Sequence, residues 1–200
     1  AKDYCKDINE CMGKVRIVGS IKYSQLNKIK QRKRVQSLCI ATNIGVNRAI
    51  LSKIIKEIKA KSAIQIVLRP HPGQDLEKMS KELCVDYSNP DSEDLNALFQ
   101  RIGCVVSYGS NILLDSAYVG VMSLSFDMYF ASTEIVNRHA KILNRFVDDG
   151  VCKEVFSVDD ILNALDHNLE LIQEQRRAVQ SYISTTHNPF QEIAREIALL

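Results

Sequence analysis

The chain has no tryptophan, only four prolines and only eight glycines in 200 residues. So few breakers exclude a collagen-like or low-complexity chain and leave room for long regular elements. Its apolar runs stop far short of the roughly 20 residues a membrane-spanning helix needs. No secretory leader pattern opens it. Neither sign of charge dominates, with 26 Lys+Arg against 24 Asp+Glu and a net charge of +2. Such a balance gives no polycationic surface, so nucleic acid is not expected as a partner. The six cysteines, at 5, 11, 39, 84, 104 and 152, include no C-x-x-C pair. No Cys/His cluster has zinc spacing, so neither a metal nor a cofactor is implied. Free, mostly buried thiols in a reducing, cytoplasmic compartment are expected instead. The chain starts Ala-Lys-Asp-Tyr rather than with Met, and reads as a fragment or an excised domain.

What is present is an alternation. Short β-branched or apolar runs at 15–19, 37–42, 63–69, 84–88, 103–108, 121–126 and 152–157 read as strands. Between them, 46–60, 74–83, 91–102, 110–120 and 132–147 read as helices. Ile50, Ile54, Ile55 and Ile58 share one face of the first of these. Asp91 or Ser92 is the expected cap of the third, and Gly120 ends the fourth. One long helix over 158–183, capped by Ser157, and a final helix over 188–200 close the chain. Strands alternating with helices of this length define βαβ crossovers and a doubly wound, Rossmann-like parallel sheet, here with a C-terminal helical tail. The expected organisation is an extension over 1–13, the sheet domain over 14–157, and helices 158–200 packing on that same domain.

Open parallel sheets bind ligands beyond the carboxyl ends of their strands. That rule selects Gly19-Ser20, Thr42-Asn43, Arg69 to Gln74, Ser107 to Asn111 and Ser125 to Asp127. In SYGSN (107–111), Gly109 turns the chain and Ser110 and Asn111 open a helix. Unpaired N–H groups and a hydroxyl at a helix start suit a phosphate, while Ser110 also suits a simple N-cap. In RPHPG (69–73), Pro70 and Pro72 stiffen the backbone on both sides of His71. The imidazole is thereby held at a strand's carboxyl end, with Gly73 permitting the next turn. Arg69 adds fixed positive charge or closes a salt bridge. His139, His167 and His187 read as structural.

RPHPG together with VVSYGSNILLDSAYVGVMSLSFD (105–127) resembles the C-terminal half of GT-B glycosyltransferases. The likeness is to the bacterial capsule and surface-polysaccharide group, which includes sialyl-, polysialyl- and Kdo transferases and CDP-glycerol-type transferases. Its HP motif falls at His71-Pro72, and its turn-and-helix pattern falls at Ser110, Asp115, Ala117 and Gly120. The resemblance implies one half of a GT-B fold that binds a CMP-, CDP- or UDP-activated sugar or polyol-phosphate donor. It places His71, Ser110 and Asn111 at the phosphate and Gly19 and Ser20 near the cleft. Asn111 stands where some members have a second serine. Asp148-Asp149-Gly150 resembles an acceptor-side motif of sialyltransferases but reads here as a turn. The acceptor-side N-terminal domain, with its general base, is then missing from this chain or supplied by a partner subunit.

Two other readings compete. A UDP-sugar 2-epimerase-like half is disfavoured by GSNILLDS, which replaces the Gly-Ser-Gly-Gly turn and paired glutamates of those enzymes. A non-catalytic nucleotide-binding or assembly module is the other. The basic cluster Lys28 to Arg34 reads as a solvated loop, or as a weak contact with anionic lipid at the inner membrane face.

Overall fold

The computed structural model describes residues 21–26, 29, 35–127, 145–180 and 183. The expected strand at 15–19, most of the helix at 132–147, the final helix, and the basic cluster apart from Ile29 lie outside the described residues. The chain divides into two compact units, residues 1–25 with 183–200, and residues 26–182. In the first, helix α1 (Ile21–Gln25) carries Lys22 with its Nζ 5.6 Å from the Tyr23 ring centroid.

Among its described residues, the second unit holds six parallel strands: β1 (Ser37–Ala41), β2 (Gln65–Arg69), β3 (Asp86–Tyr87), β4 (Cys104–Ser107), β5 (Met122–Phe126) and β6 (Lys153–Val155). Their order is β3-β2-β1-β4-β5-β6. This is a Rossmann-like α/β sheet. Its direction of winding reverses between β1 and β4, which pair with Leu38 opposite Cys104 and Ile40 opposite Val106. Right-handed crossovers then put α2 (Arg48–Lys61), which joins β1 to β2, and α5 (Ile112–Val119), which joins β4 to β5, on opposite faces. The shorter α3 (Glu77–Glu82) and α4 (Leu95–Arg101) complete the connections to β3 and β4.

The two faces of the sheet differ. Leu38, Ile40, Ile66, Leu68, Cys104, Val106, Met122 and Leu124 form one apolar surface. Helix α2 covers it with Leu51, Ile54, Ile55 and Ile58, all buried, while Ile50 is half-buried. Each such side chain contributes roughly 1.5–3 kcal/mol of burial. The residues between them on the strands are more polar: Cys39, Arg69, Ser107, Ser123 and Ser125 are all buried. Burial pushes the Cys39 thiol up to about 12, so it stays protonated and packs as a small apolar group. Under α5, the Ser116 and Ser123 hydroxyls lie 2.6 Å apart, and Ser123 Oγ also donates to Leu113 O at 2.8 Å. The polar atoms of this face are therefore matched to one another rather than left dry.

Two helix boundaries differ from the sequence reading. The cap of α4 is Asp94, whose carboxylate accepts from Ala97 N at 2.7 Å, rather than Asp91 or Ser92. An Asx turn at Asn89, which accepts from Asp91 N at 2.9 Å, delays the helix start. The long helix expected over 158–183 is two helices, α6 (Val158–Asp166) and α7 (Asn168–Val179). His167 leaves helical geometry at φ −105°, ψ 35°, with its Nδ1 3.1 Å from Asn163 O. The break lets α6 pack on α2 and α7 pack on α5. Ser157 caps α6 as expected, accepting from Asp160 N at 3.1 Å. Gly150, at φ +75°, forms the turn expected at Asp148-Asp149-Gly150.

Helix α7 also completes the sheet. β6 pairs with β5 only from Leu124 onward. One residue earlier, Ser123 N donates to Gln175 Oε1 at 2.9 Å, and Gln175 Nε2 donates to Ser123 O at 2.6 Å. The carboxamide stands in for one peptide unit of a longer β6. Gln175 is 1% exposed, so its loss strands both backbone groups. Gln175→Met, close in length, is expected to lower the unfolding free energy by about 2–4 kcal/mol, read from urea denaturation. A second test uses Gly120, which ends α5 at φ +93° with Arg176 Cζ 3.3 Å from where a Cβ would stand. Gly120→Ala is expected to cost about 1–2 kcal/mol in the same assay, from the left-handed backbone alone.

Candidate functional site

The carboxyl edge of the sheet gathers its loops around β1. Ser107, the last residue of β4, is fully buried, and its hydroxyl donates to Ala41 O at 2.7 Å. It knits β4 to β1 from inside the sheet. Beyond it, Gly109 adopts φ +63°, a left-handed turn that suits glycine. Asn43, just past β1, reaches across and donates from Nδ2 to Tyr108 O at 2.6 Å and to Gly109 O at 3.3 Å. The turn is thus pinned from the neighbouring strand at the point where the winding reverses.

Helix α5 begins after this turn. Its N-cap is Asn111, with helical dihedrals and no side-chain capping bond. The expected cap, Ser110, is one residue earlier, with its Oγ at 3.5 Å from Ile112 N, a long contact that leaves the hydroxyl loosely held. Ser110 is half-buried and Asn111 exposed. Tyr108 is half-buried beside them. Burial first, then Asp127 and Glu154, raise its phenol above the ordinary range, so it stays a neutral O–H.

On the other side of β1, β2 runs into RPHPG. His71 is half-buried. Its Nδ1 accepts from Gly73 N at 3.2 Å. The neutral ring therefore carries its proton on Nε2. Gly73 has no left-handed backbone, and a Cβ there would sit 3.6 Å from His71 Nδ1, an ordinary contact. Gly73 permits the turn, but its backbone does not require a glycine.

Arg69 occupies a different place from the one its charge suggests. It is 8% exposed, and its Nη1 donates to Ser88 Oγ at 2.6 Å and Glu93 O at 3.0 Å. Burial lowers its pKa. Its guanidinium works between β2, β3 and the loop before α4. Glu93 in turn takes Arg101 through both oxygens, Nε at 2.7 Å and Nη2 at 3.0 Å. Among the expected site residues, the structure brings His71, Gly109, Ser110 and Asn111 to the loops flanking β1. It places Ser107 and Arg69 within the sheet, and Gly19 and Ser20 lie outside the described residues. Asn43 and Gln74, which carry the bonds between these loops, fell within the strand-end segments selected from sequence but were given no role there. Their only signal is a position just past a strand end.

No group of His, Cys, Asp and Glu among the described residues could hold a metal ion. Nor is any described helix long and apolar enough to cross a membrane. Among the described residues, pockets of about 400 and 320 Å³ lie between α2 and α3 and beside the α6–α7 junction.

This Rossmann-like α/β sheet with its flanking helices matches half-domains of solved GT-B glycosyltransferases in fold. The glycosyltransferase SnogD from Streptomyces nogalater superposes with a TM-score of 0.57 at 17% identity, over 91% of this chain and 47% of that one. CalG4, the calicheamicin glycosyltransferase, gives 0.57 at 10% identity, over 86% and 45%. Acinetobacter baumannii MurG gives 0.51 at 14% identity, over 85% and 51%. The chain spans about half the length of each. No protein-family model matches the sequence, and no curated protein does.

The Arg101 hydrogen bonds hold the Glu93 carboxyl below its ordinary pKa. A depressed folded-state pKa adds stability above the unfolded value of about 4.3 that is lost as pH falls through the folded value. Glu93→Gln is therefore expected to be less stable than the native chain at pH 7, with the gap closing on acidification below about pH 4. Urea midpoints across pH 3–7 check this.

Proposed function

We propose that this chain is the donor-nucleotide-binding half of a glycosyltransferase. The complete enzyme transfers a sugar or polyol phosphate from a CMP-, CDP- or UDP-activated donor in surface-polysaccharide biosynthesis. The observation that carries the reading is the pair of turns flanking β1 at the reversal, one offering an imidazole and the other opening a helix. A donor phosphate seated there meets the first amides of α5 and the Ser110 hydroxyl on one side. It meets His71 Nε2–H on the other. As the donor bond breaks, negative charge builds on the departing phosphate, and a hydrogen bond from His71 strengthens with that charge. The base that activates the acceptor belongs to a second, acceptor-binding domain or subunit, so this chain binds donor nucleotide without turning it over. In this reading the Lys28 to Arg34 cluster draws the assembled enzyme weakly to the inner membrane face.

Calorimetric titration with CMP, CDP, UDP and GDP tests it. One nucleotide is expected to bind, and His71→Ala to weaken it by about 1.5–3 kcal/mol, one to two orders of magnitude in Kd. Absence of binding both to this chain and to a longer natural form carrying the acceptor domain would falsify the reading.

A further inference from the structure

The backbone of His71 is held by a residue that no motif points to. Gln74 closes a clamp on the histidine backbone. Its own N–H donates to His71 O at 2.8 Å, and its Oε1 accepts from His71 N at 3.2 Å. The same Oε1 accepts from Thr42 Oγ1 at 2.8 Å. Thr42 is 5% exposed and is fixed in turn, because its N–H donates to Arg69 O at 3.0 Å. The residue after it, Asn43, carries the bonds to Tyr108 O and Gly109 O. Hydrogen bonds therefore lead from the histidine through Gln74 to Thr42 at the end of β1, and from its chain neighbour Asn43 on to the glycine turn. A carboxamide oxygen has two lone pairs, and here both are used, one on each strand's loop.

We propose that Gln74, anchored by Thr42, is the positioning residue of His71: it fixes the loop that sets the ring's orientation and its Nε2–H tautomer relative to the β4 turn. Two prolines stiffen the hinge but do not set where it points. The Gln74 carboxamide does, because it ties the hinge to the neighbouring strand. The Gly73 N–H that selects the tautomer belongs to this same clamped turn. The proposal rests on reading His71 as the group that faces the donor phosphate, but its geometry can be read with no nucleotide present.

The test uses ¹⁵N NMR of the His71 ring in the free chain, with nucleotide titration in parallel. In the native chain the neutral ring is expected to show a protonated Nε2 and an unprotonated Nδ1. Thr42→Val keeps shape and removes the donor, and Gln74→Leu removes the acceptor. Both are expected to give a mixed tautomer population and to weaken nucleotide binding about tenfold, the scale of one hydrogen bond in a preorganised site. Thr42→Ser restores the hydroxyl and is expected to restore the native ring signals. Gln74→Glu keeps the acceptor oxygen and is expected to keep the tautomer. It adds a carboxylate beside the anion, so its affinity recovers as pH falls through the carboxyl range. In a His71→Ala background, Thr42→Val is expected to add nothing. Native ring signals in folded Thr42→Val and Gln74→Leu overturn the proposal. Shifted ring signals with no nucleotide bound, either by the native chain or by a longer form carrying the acceptor domain, leave the positioning role standing and sink the donor-site reading instead.

Discussion

At the end of β1, two consecutive side chains hold the loops of both neighbouring strands. Thr42 holds the β2 loop through Gln74, and Asn43 holds the β4 turn directly. Each strand of a parallel sheet otherwise leaves its carboxyl end unbound to its neighbours' loops, because the ladder stops where the strand stops. These two residues extend the cross-linking past the ladder by one layer. The Thr42 and Asn43 bonds relate the β2 and β4 loops through β1, so the geometry of anything seated between them depends on this layer.

The sheet beneath it is built with unlike faces. The face under α2 is uniformly apolar and is held by close packing. The other face carries an arginine, several serines and a cysteine, and is held by matched hydrogen bonds between Ser116, Ser123 and Leu113 O, and between Arg69, Ser88 and Glu93 O. Packing tolerates small shifts, whereas an unmatched buried polar atom does not. The polar face therefore fixes register, and the apolar face supplies most of the area removed from water. Arg69 shows how the two roles meet. Its side chain locks β2 to β3 while its carbonyl receives the Thr42 amide, so one residue orders both the edge of the sheet and the start of the RPHPG hinge.

Much of this architecture was legible in the sequence, because strands and helices of a doubly wound sheet announce themselves by period and length. The strands from 37 to 155 and the helices from 48 to 119 fall where apolar periodicity put them. What escaped was whatever depends on pairing between distant segments. Gln74 and Asn43 looked like loop residues, and their partners lie 32 and 65 positions away. Arg69 read either as a charge offered to a ligand or as one side of a strand-end salt bridge, and its partners Ser88 and the Glu93 carbonyl could not be named until the chain folds. The break at His167 was hidden because an apolar stripe runs through it with no proline or glycine to mark the change. The turns of RPHPG and SYGSN were visible as turns, since proline and glycine constrain the backbone locally, but the side chains that hold them together were not.

The glutamine that finishes β5 has a bearing on biogenesis. Ser123 and Gln175 are 52 residues apart, so the strand emerges from the ribosome well before the group that satisfies its outer edge. At typical elongation rates that interval is roughly 3–10 s. During it the N–H and C=O of Ser123 are open to any extended segment that comes near, the usual entry point for mispaired assembly. β6 arrives earlier but reaches only Leu124, one residue short. Truncation anywhere before α7 would make that temporary opening permanent, so α7 belongs to the nascent domain's folding unit as much as any strand does.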